Sequence, residues 1–267
     1  MIGRVASLRH QGELLMQLTK RDIFSRYRGS ALGILWSFIT PLLLVGVYTF
    51  VFSVIFRPRW MVEGATVAGG YGFNLFVGMI IHNVLAECIA RAPSLVLGNA
   101  NYVTKVVFPL QLLPSVVVLS ALFHLLIGFI ALIALQLVMG VHIDFAMFAA
   151  LPLVLLPLAV ICNGLVLILS ALGVYFRDLS QIVSVLIAAL MFLSPVFYPI
   201  TAVPEAFRHY LYLNPMTYII ESARGVILNG QVPDYGALLM VTGIGCALIV
   251  LGAVVFQKLR RGFADVL

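Results

Sequence analysis

Charge is what this sequence has least of. Only 16 basic and 10 acidic residues occur among 267, so charged side chains make up 10% of the chain, far below the quarter or so of an ordinary soluble domain. A water-facing surface cannot be built from so few. Cysteine is equally thin: Cys88, Cys162 and Cys246 stand far apart, which excludes a disulfide framework or a CxxC metal or redox pair and leaves them a role as small packing residues. There is no GxxxxGK[ST] loop, no HExxH and no dense carboxylate pair, so phosphate-cradling and metal-hydrolysis motifs are excluded. No uncharged h-region forms within the first 28 residues either; no cleaved signal peptide is expected, and the first apolar segment should stay in the mature protein.

What is there instead is hydrocarbon. Apolar residues make up 63% of the chain and the mean hydropathy is +1.12. Cutting at every Asp, Glu, Lys and Arg leaves six long stretches, 29–56, 64–86, 106–143, 145–176, 179–204 and 235–257. Each exceeds the roughly 20 residues that a helix needs to cross hydrocarbon. Barrel strands would instead alternate over about 10 residues. The expected fold is an all-α membrane protein with six transmembrane helices in a single domain, residues 1–267. Twelve Lys and Arg fall before the first span, between spans two and three, between four and five, and after the sixth; only Arg57, Arg59, Arg208 and Arg224 fall on the other side. The positive-inside bias then places both termini in the cytoplasm. The +6 net charge is a topology signal rather than a nucleic-acid footprint.

Between the spans, several segments carry their own signals. Residues 11–28 mix Leu14, Leu15, Leu18, Ile23, Phe24 and Tyr27 with Lys20, Arg21, Asp22, Arg26 and Arg28. The segment is too polar to span and predicts an amphipathic helix from about Gln11 to Arg28, apolar side in the acyl boundary, within a cytoplasmic interface region 1–28. The first span is expected from about Ala31 to Phe56, with Tyr48, Phe52 and Phe56 on one helix face. Residues 91–105, containing Pro93, Gly98, Asn99 and Asn101, predict a short helix and turn. Pro109 and Pro114 predict a bent entry to span three, and Pro152 and Pro157 a kink in span four. The short link 175–181 predicts that spans four and five are antiparallel neighbours. After span five, Pro204 and the Asn214–Pro215 pair predict two short helices, the second ending near Gly230. Neither is long enough to cross, and Arg208, Glu221 and Arg224 would be costly at the bilayer centre. Two re-entrant helices in the outer interface are expected, with Glu221 and Arg224 paired at a spacing of three. Residues 258–267 are left as a cytoplasmic tail after the six-span region 29–257. His82 and His124 are read as satisfied packing or interfacial residues rather than a proton relay.

The order of four stretches, LTKRDIFSRYRGSALGILWSFITPLL (18–43), NANYVTKVVFPLQLLP (99–114), YFRDL (175–179) and SPVFYPITAVPEAFRHYLYLNPMTYIIESARGVIL (194–228), resembles the membrane-spanning subunits of type-two ABC exporters that move polysaccharides. The resemblance implies a homodimer with two separate ATP-binding cassette subunits, which bind ATP and Mg; this chain is expected to hold no cofactor or metal and no catalytic residue. It implies ATPase coupling through Arg91, Asn99, Asn101 and Lys105 and through Arg177 and Asp178, aided by the interface helix. It further implies a channel lined by spans one and five, for which Tyr48, Phe52, Phe56, Phe192, Phe197 and Tyr198 are the candidates, and an external gate around Arg208, Glu221 and Arg224. The cargo implied is a lipid-linked polysaccharide crossing the bacterial inner membrane, O-antigen first, then capsule or teichoic acid. A small lipid or drug on the same fold is the nearer alternative; a membrane enzyme acting on lipid-linked sugars is the remote one, since it would need intramembrane carboxylates or catalytic loops.

Overall fold

Long apolar runs can satisfy their backbone polar groups inside hydrocarbon only by closing hydrogen bonds within the segment, which is to say as helix. The computed structural model describes residues 2–51, 70–104, 108–141, 143 and 148–266, with backbone alone at 2–9, 45, 48, 49, 103, 104 and 265. Among the described residues all regular structure is helical: α1 Ile2–Tyr27, α2 Trp36–Thr49, α3 Gly70–Arg91, α4 Ala100–Thr104, α5 Leu112–Val138, α6 Leu151–Tyr175, α7 Leu179–Leu193, α8 Glu205–Tyr212, α9 Pro215–Leu228, α10 Tyr235–Arg260 and α11 Phe263–Val266, with 3₁₀ turns at Gly33–Leu35, Leu97–Asn99 and Ile200–Ala202. Helices α3, α5, α6 and α10 are long and apolar enough to cross a membrane; the apolar segments Gly33–Leu44 and Leu179–Leu193 are shorter.

Several boundaries differ from expectation. Helix α1 begins at Ile2 and not near Gln11, and the start of the first apolar stretch is a 3₁₀ turn, so its α-helix opens only at Trp36. Phe52 and Phe56 lie outside the described residues. Pro204 is the N-cap of α8, not its first residue. At α9 the expected chemistry holds: the Asn214 side chain accepts from the Met216 amide at 3.0 Å, and Pro215 occupies the first turn, where its missing N–H costs nothing.

Helix α3 is the hub. Fourteen of its residues are buried, among them Phe73, Leu75, Phe76 and Ile81, and it touches α2, α5, α6, α7 and α9. Inside a bilayer, helices gain little from excluding water and are held by close packing, which favours small residues at their seams. The tightest seam joins α6 to α10: a Cβ on Gly164 would lie 2.7 Å from the Leu248 backbone, so the two helices meet main chain to side-chain root. This seam corrects the expectation for spans four and five. Phe176 turns out of helix at φ −115° and ψ 93°, and α10 already covers the flank of α6. Helix α7 therefore meets α6 little beyond the turn and rests mainly on α3. Its outward side is bare, with Ile182, Val185, Phe192 and Leu193 exposed and only Val183 buried.

Candidate functional site

Three helices each present two polar residues four apart, and residues at that spacing share one face. Asp22 and Arg26 do so on α1, Glu87 and Arg91 on α3, and Ser120 and His124 on α5. The fold turns these faces toward one another in two rungs. In the first, Arg91 donates to Asp22 Oδ1 at 2.6 Å and Ser120 donates to Asp22 Oδ2 at 2.6 Å. In the second, Arg26 donates to the Glu87 carboxylate, and His124 Nδ1 lies 3.1 Å from Glu87 Oε2. Arg91 also reaches Glu87 Oε1 at 3.5 Å, tying the rungs together. Charge-assisted bonds of this kind are about twice as strong as neutral ones. Helix α1 is thus bolted to the helical body and is not a loose amphipathic attachment.

Burial alone would raise the Asp22 carboxyl, but hydrogen bonds from Arg91 and Ser120 and the charges of Arg91 and Arg26 hold it below its ordinary 3.8. A depressed carboxylate contributes stability above its unfolded value and loses it as pH falls through the folded one. The contribution should therefore be full at neutral pH and fade below about pH 4. Asp22→Asn is expected to cost about 2 kcal/mol, read as a lower melting temperature in detergent at pH 7, with the gap from wild type closing in acid. Exchange of the two charges, Asp22→Arg with Arg91→Asp, should recover part of it. A single variant melting like wild type at pH 7 would mean that the rung does not form.

The segments expected to couple to an ATPase gather at the same end. A Cβ on Gly173, near the end of α6, would lie 2.1 Å from the Pro93 carbonyl oxygen, so the turn after α3 sits directly on the helix that leads into 175–179. Arg21 donates to the Tyr102 hydroxyl at 2.9 Å, joining α1 to α4. Of the candidates, Arg91 is engaged within the chain, and the Asn99 side chain donates to its own turn at Leu95 O, 2.9 Å away. Asn101, Arg177 and Asp178 are exposed, as are Lys20 and Arg28; Lys105 lies outside the described residues. Between α1, α2, α3 and α5 opens a cavity of about 600 Å³, lined by Trp36, Thr40, Asn83, Glu87 and His124 among others. Its apolar walls and charged floor suit an amphiphile.

The opposite end is organised by one cation. Arg224 is 3% exposed, donates to Asn74 O at 3.0 Å and Val196 O at 2.8 Å, and meets Glu221 at 2.9 Å. The Glu221–Arg224 pair forms as the spacing suggests, but α9 lies inside the body, with eight of its residues buried. Burial is possible because backbone carbonyls take the charge that lipid could not. Arg208, on α8, is held by Val203 O and Thr201 O at 2.7 and 2.8 Å. Of the channel candidates, Phe192 is exposed, Phe197 is buried 5.5 Å from it, and the half-buried Tyr198 donates to Phe192 O; the Tyr48 side chain is outside the description.

His82 departs from its expected satisfied state, being buried with no partner for either ring nitrogen among the described residues. His124 belongs to the charged rung. Sequence reasoning missed the two rungs: each four-residue pair is visible, but which pairs face each other depends on the fold. No group of three His, Cys, Asp or Glu able to hold a metal occurs among the described residues.

Residues 13–228, α9 and nearly everything before it, match the model of the ABC-2 type transporter family. The chain belongs to that family. Relatives cover from 80% to 99% of its length. It is 30% identical to the O-antigen export system permease protein RfbA of Myxococcus xanthus, with 99% of each chain covered. It is 28% identical to the protein of the same name from Klebsiella pneumoniae, over 96% of this chain and 95% of the relative. The polysialic acid transport protein KpsM of Escherichia coli is 22% identical over 80% of this chain and 81% of its own. As an ABC-2 family member with four long apolar helices and two shorter ones, the chain is a multi-pass membrane protein.

Proposed function

We propose that this chain is the channel-forming subunit of an ATP-driven exporter that carries a lipid-linked polysaccharide, O-antigen first, across the bacterial inner membrane. The observation that supports this best is similarity over nearly the full chain to permeases named for O-antigen export, with 99% of the Myxococcus xanthus relative covered. In this reading the basic end faces the cytoplasm with both termini. The two shorter apolar helices complete six spans, and α8 and α9 form the re-entrant pair on the outside. Two ATP-binding cassette subunits, holding ATP and Mg, dock on Asn101, Lys105, Arg177 and Asp178.

Two copies of the chain would enclose the path. The two shorter apolar helices carry bare apolar faces, α2 at Leu43 and Val47 with Phe50 just beyond its end, and α7 at Ile182, Val185 and Phe192. Those faces give a second copy and a sugar polymer something to meet. Aromatic rings such as Phe192 can lie against the C–H faces of sugars. The cavity at the basic end would receive the lipid-borne head of the polymer. ATP-driven closure of the partners would press on 91–105 and 175–179 and, through the Asp22 and Glu87 rungs, move α1 with the body, a differential-contact switch.

Deleting the gene in its host and following surface polysaccharide tests this. Intact polymer is expected to accumulate in the cytoplasm and vanish from the surface. Normal display with altered drug tolerance would instead assign the fold to a small-molecule cargo and overturn the proposal.

A further inference from the structure

Residues 258–267 are expected from sequence to be a cytoplasmic tail, and 259–266 pack on the coupling segments. Leu259 O accepts the Tyr175 hydroxyl at 2.9 Å. A Cβ on Gly262 would lie 2.5 Å from that hydroxyl oxygen, so the chain passes close over Tyr175 and a larger residue there would push its tip aside. Phe263 is fully buried, with its ring edge-on to Phe256 at 5.6 Å and 6.2 Å from Tyr175. The short helix α11 that follows touches both α4 and α6.

These contacts close a loop. The turn at 92–96 is pinned to α6 by the Gly173–Pro93 approach, but the far end of the same segment, α4, is only five residues long. A helix that short does not persist in isolation and owes its shape to what it packs against. Tyr102 supplies one support, through Arg21 and a stack on Phe108 at 4.5 Å. The turn of α11 supplies the other.

We propose that residues 259–266 act as a strap that fixes the 100–104 helix against the 175–179 turn, making Phe263 and Gly262 positioning residues for energy coupling. The strap rests on the proposed reading of these two segments as ATPase contacts. Pressure applied to either one then reaches the helical body through a single unit, instead of being lost in two independently yielding loops. Phe263 touches no substrate or nucleotide in this scheme and acts through α4 and Tyr175.

Two measurements test it. In the complex purified with its ATP-binding subunit and reconstituted in vesicles, Phe263→Ala should lower polymer moved per ATP hydrolysed about fivefold without loss of the bound partner, and Phe263→Leu should restore most of it. Gly262→Ala should lower this ratio less than Phe263→Ala, because the Tyr175 tip can swing aside from the new methyl. Wild-type stoichiometry in Phe263→Ala would overturn the strap. The second measurement needs no partner: spin labels at Asn101→Cys and Arg177→Cys, in a Cys246→Ser background, should give a narrow distance distribution that broadens in Phe263→Ala. An unchanged distribution overturns the strap whatever the cargo. If the wild-type chain captures no ATP-binding subunit, yet Phe263→Ala broadens the distribution, the strap stands and the exporter reading is refuted.

Discussion

Gly173→Ala is expected to be among the most damaging single-methyl changes in this protein. In the middle of an exposed helix the same change would add stability, about 1 kcal/mol from helix propensity. Here the new Cβ would lie 2.1 Å from Pro93 O, 2.6 Å from Pro93 Cα and 2.7 Å from Pro93 C. All three are main-chain atoms, which cannot swing aside as a side-chain tip can. Overpacking a close contact costs about 1–3 kcal/mol, and more where backbone must move. The clash therefore outweighs the propensity gain, and a net loss of about 2 kcal/mol is expected. The melting temperature in detergent should fall, and proteolysis should become faster within 92–104, the segment displaced. A variant melting at or above the wild-type temperature would mean that the turn does not sit on α6.

Arg224→Met should cost more, about 3–5 kcal/mol, the range for breaking a buried charge pair from one side. Methionine nearly fills the volume, so the loss is electrostatic: Glu221 loses its cation, and the carbonyls of Asn74 and Val196 lose their donor. Arg224→Lys keeps the charge but offers a point donor in place of a planar fork, and cannot reach three acceptors spread over α3, α9 and the 194–198 segment. It should fall between Met and wild type. Adding Glu221→Gln to Arg224→Met should recover part of the loss, because the stranded carboxylate is then neutral. Thermal melting of the four proteins checks the order; equal melting of wild type and Arg224→Met would remove Arg224 as the tie between these elements.

Composition alone was enough to read helices and to discard soluble and barrel classes, since each apolar run has to satisfy its own backbone. Local signals also served well where the interaction is local. The Asn214–Pro215 start of α9 and the Glu221–Arg224 pair depend only on neighbours within a turn. What escaped was whatever depends on which helix covers which. The link at 175–181 is short, yet α7 leaves α6, because α10 had the better small-residue seam. The partners of Arg224 escaped too, because they are carbonyls at Asn74 and Val196, over a hundred and about thirty residues away in order. Asp22 and Glu87 gave a hint through their four-residue partners Arg26 and Arg91, but Ser120 and His124 were needed to complete the rungs and carry no signal of their own. Phe263 sits in a basic, polar stretch where a single aromatic gives no pattern.

The bare outer side of α7 has a consequence for descent. Ile182 and Val185 are mostly exposed and outside the buried core, and Phe192 meets only the 197–198 segment through its ring and carbonyl, so replacing Ile182 or Val185 by other apolar residues leaves the packing around α3 intact. Lineages can therefore reshape this face without first repairing the fold, and under the channel reading proposed above that would let cargo preference diverge faster than architecture.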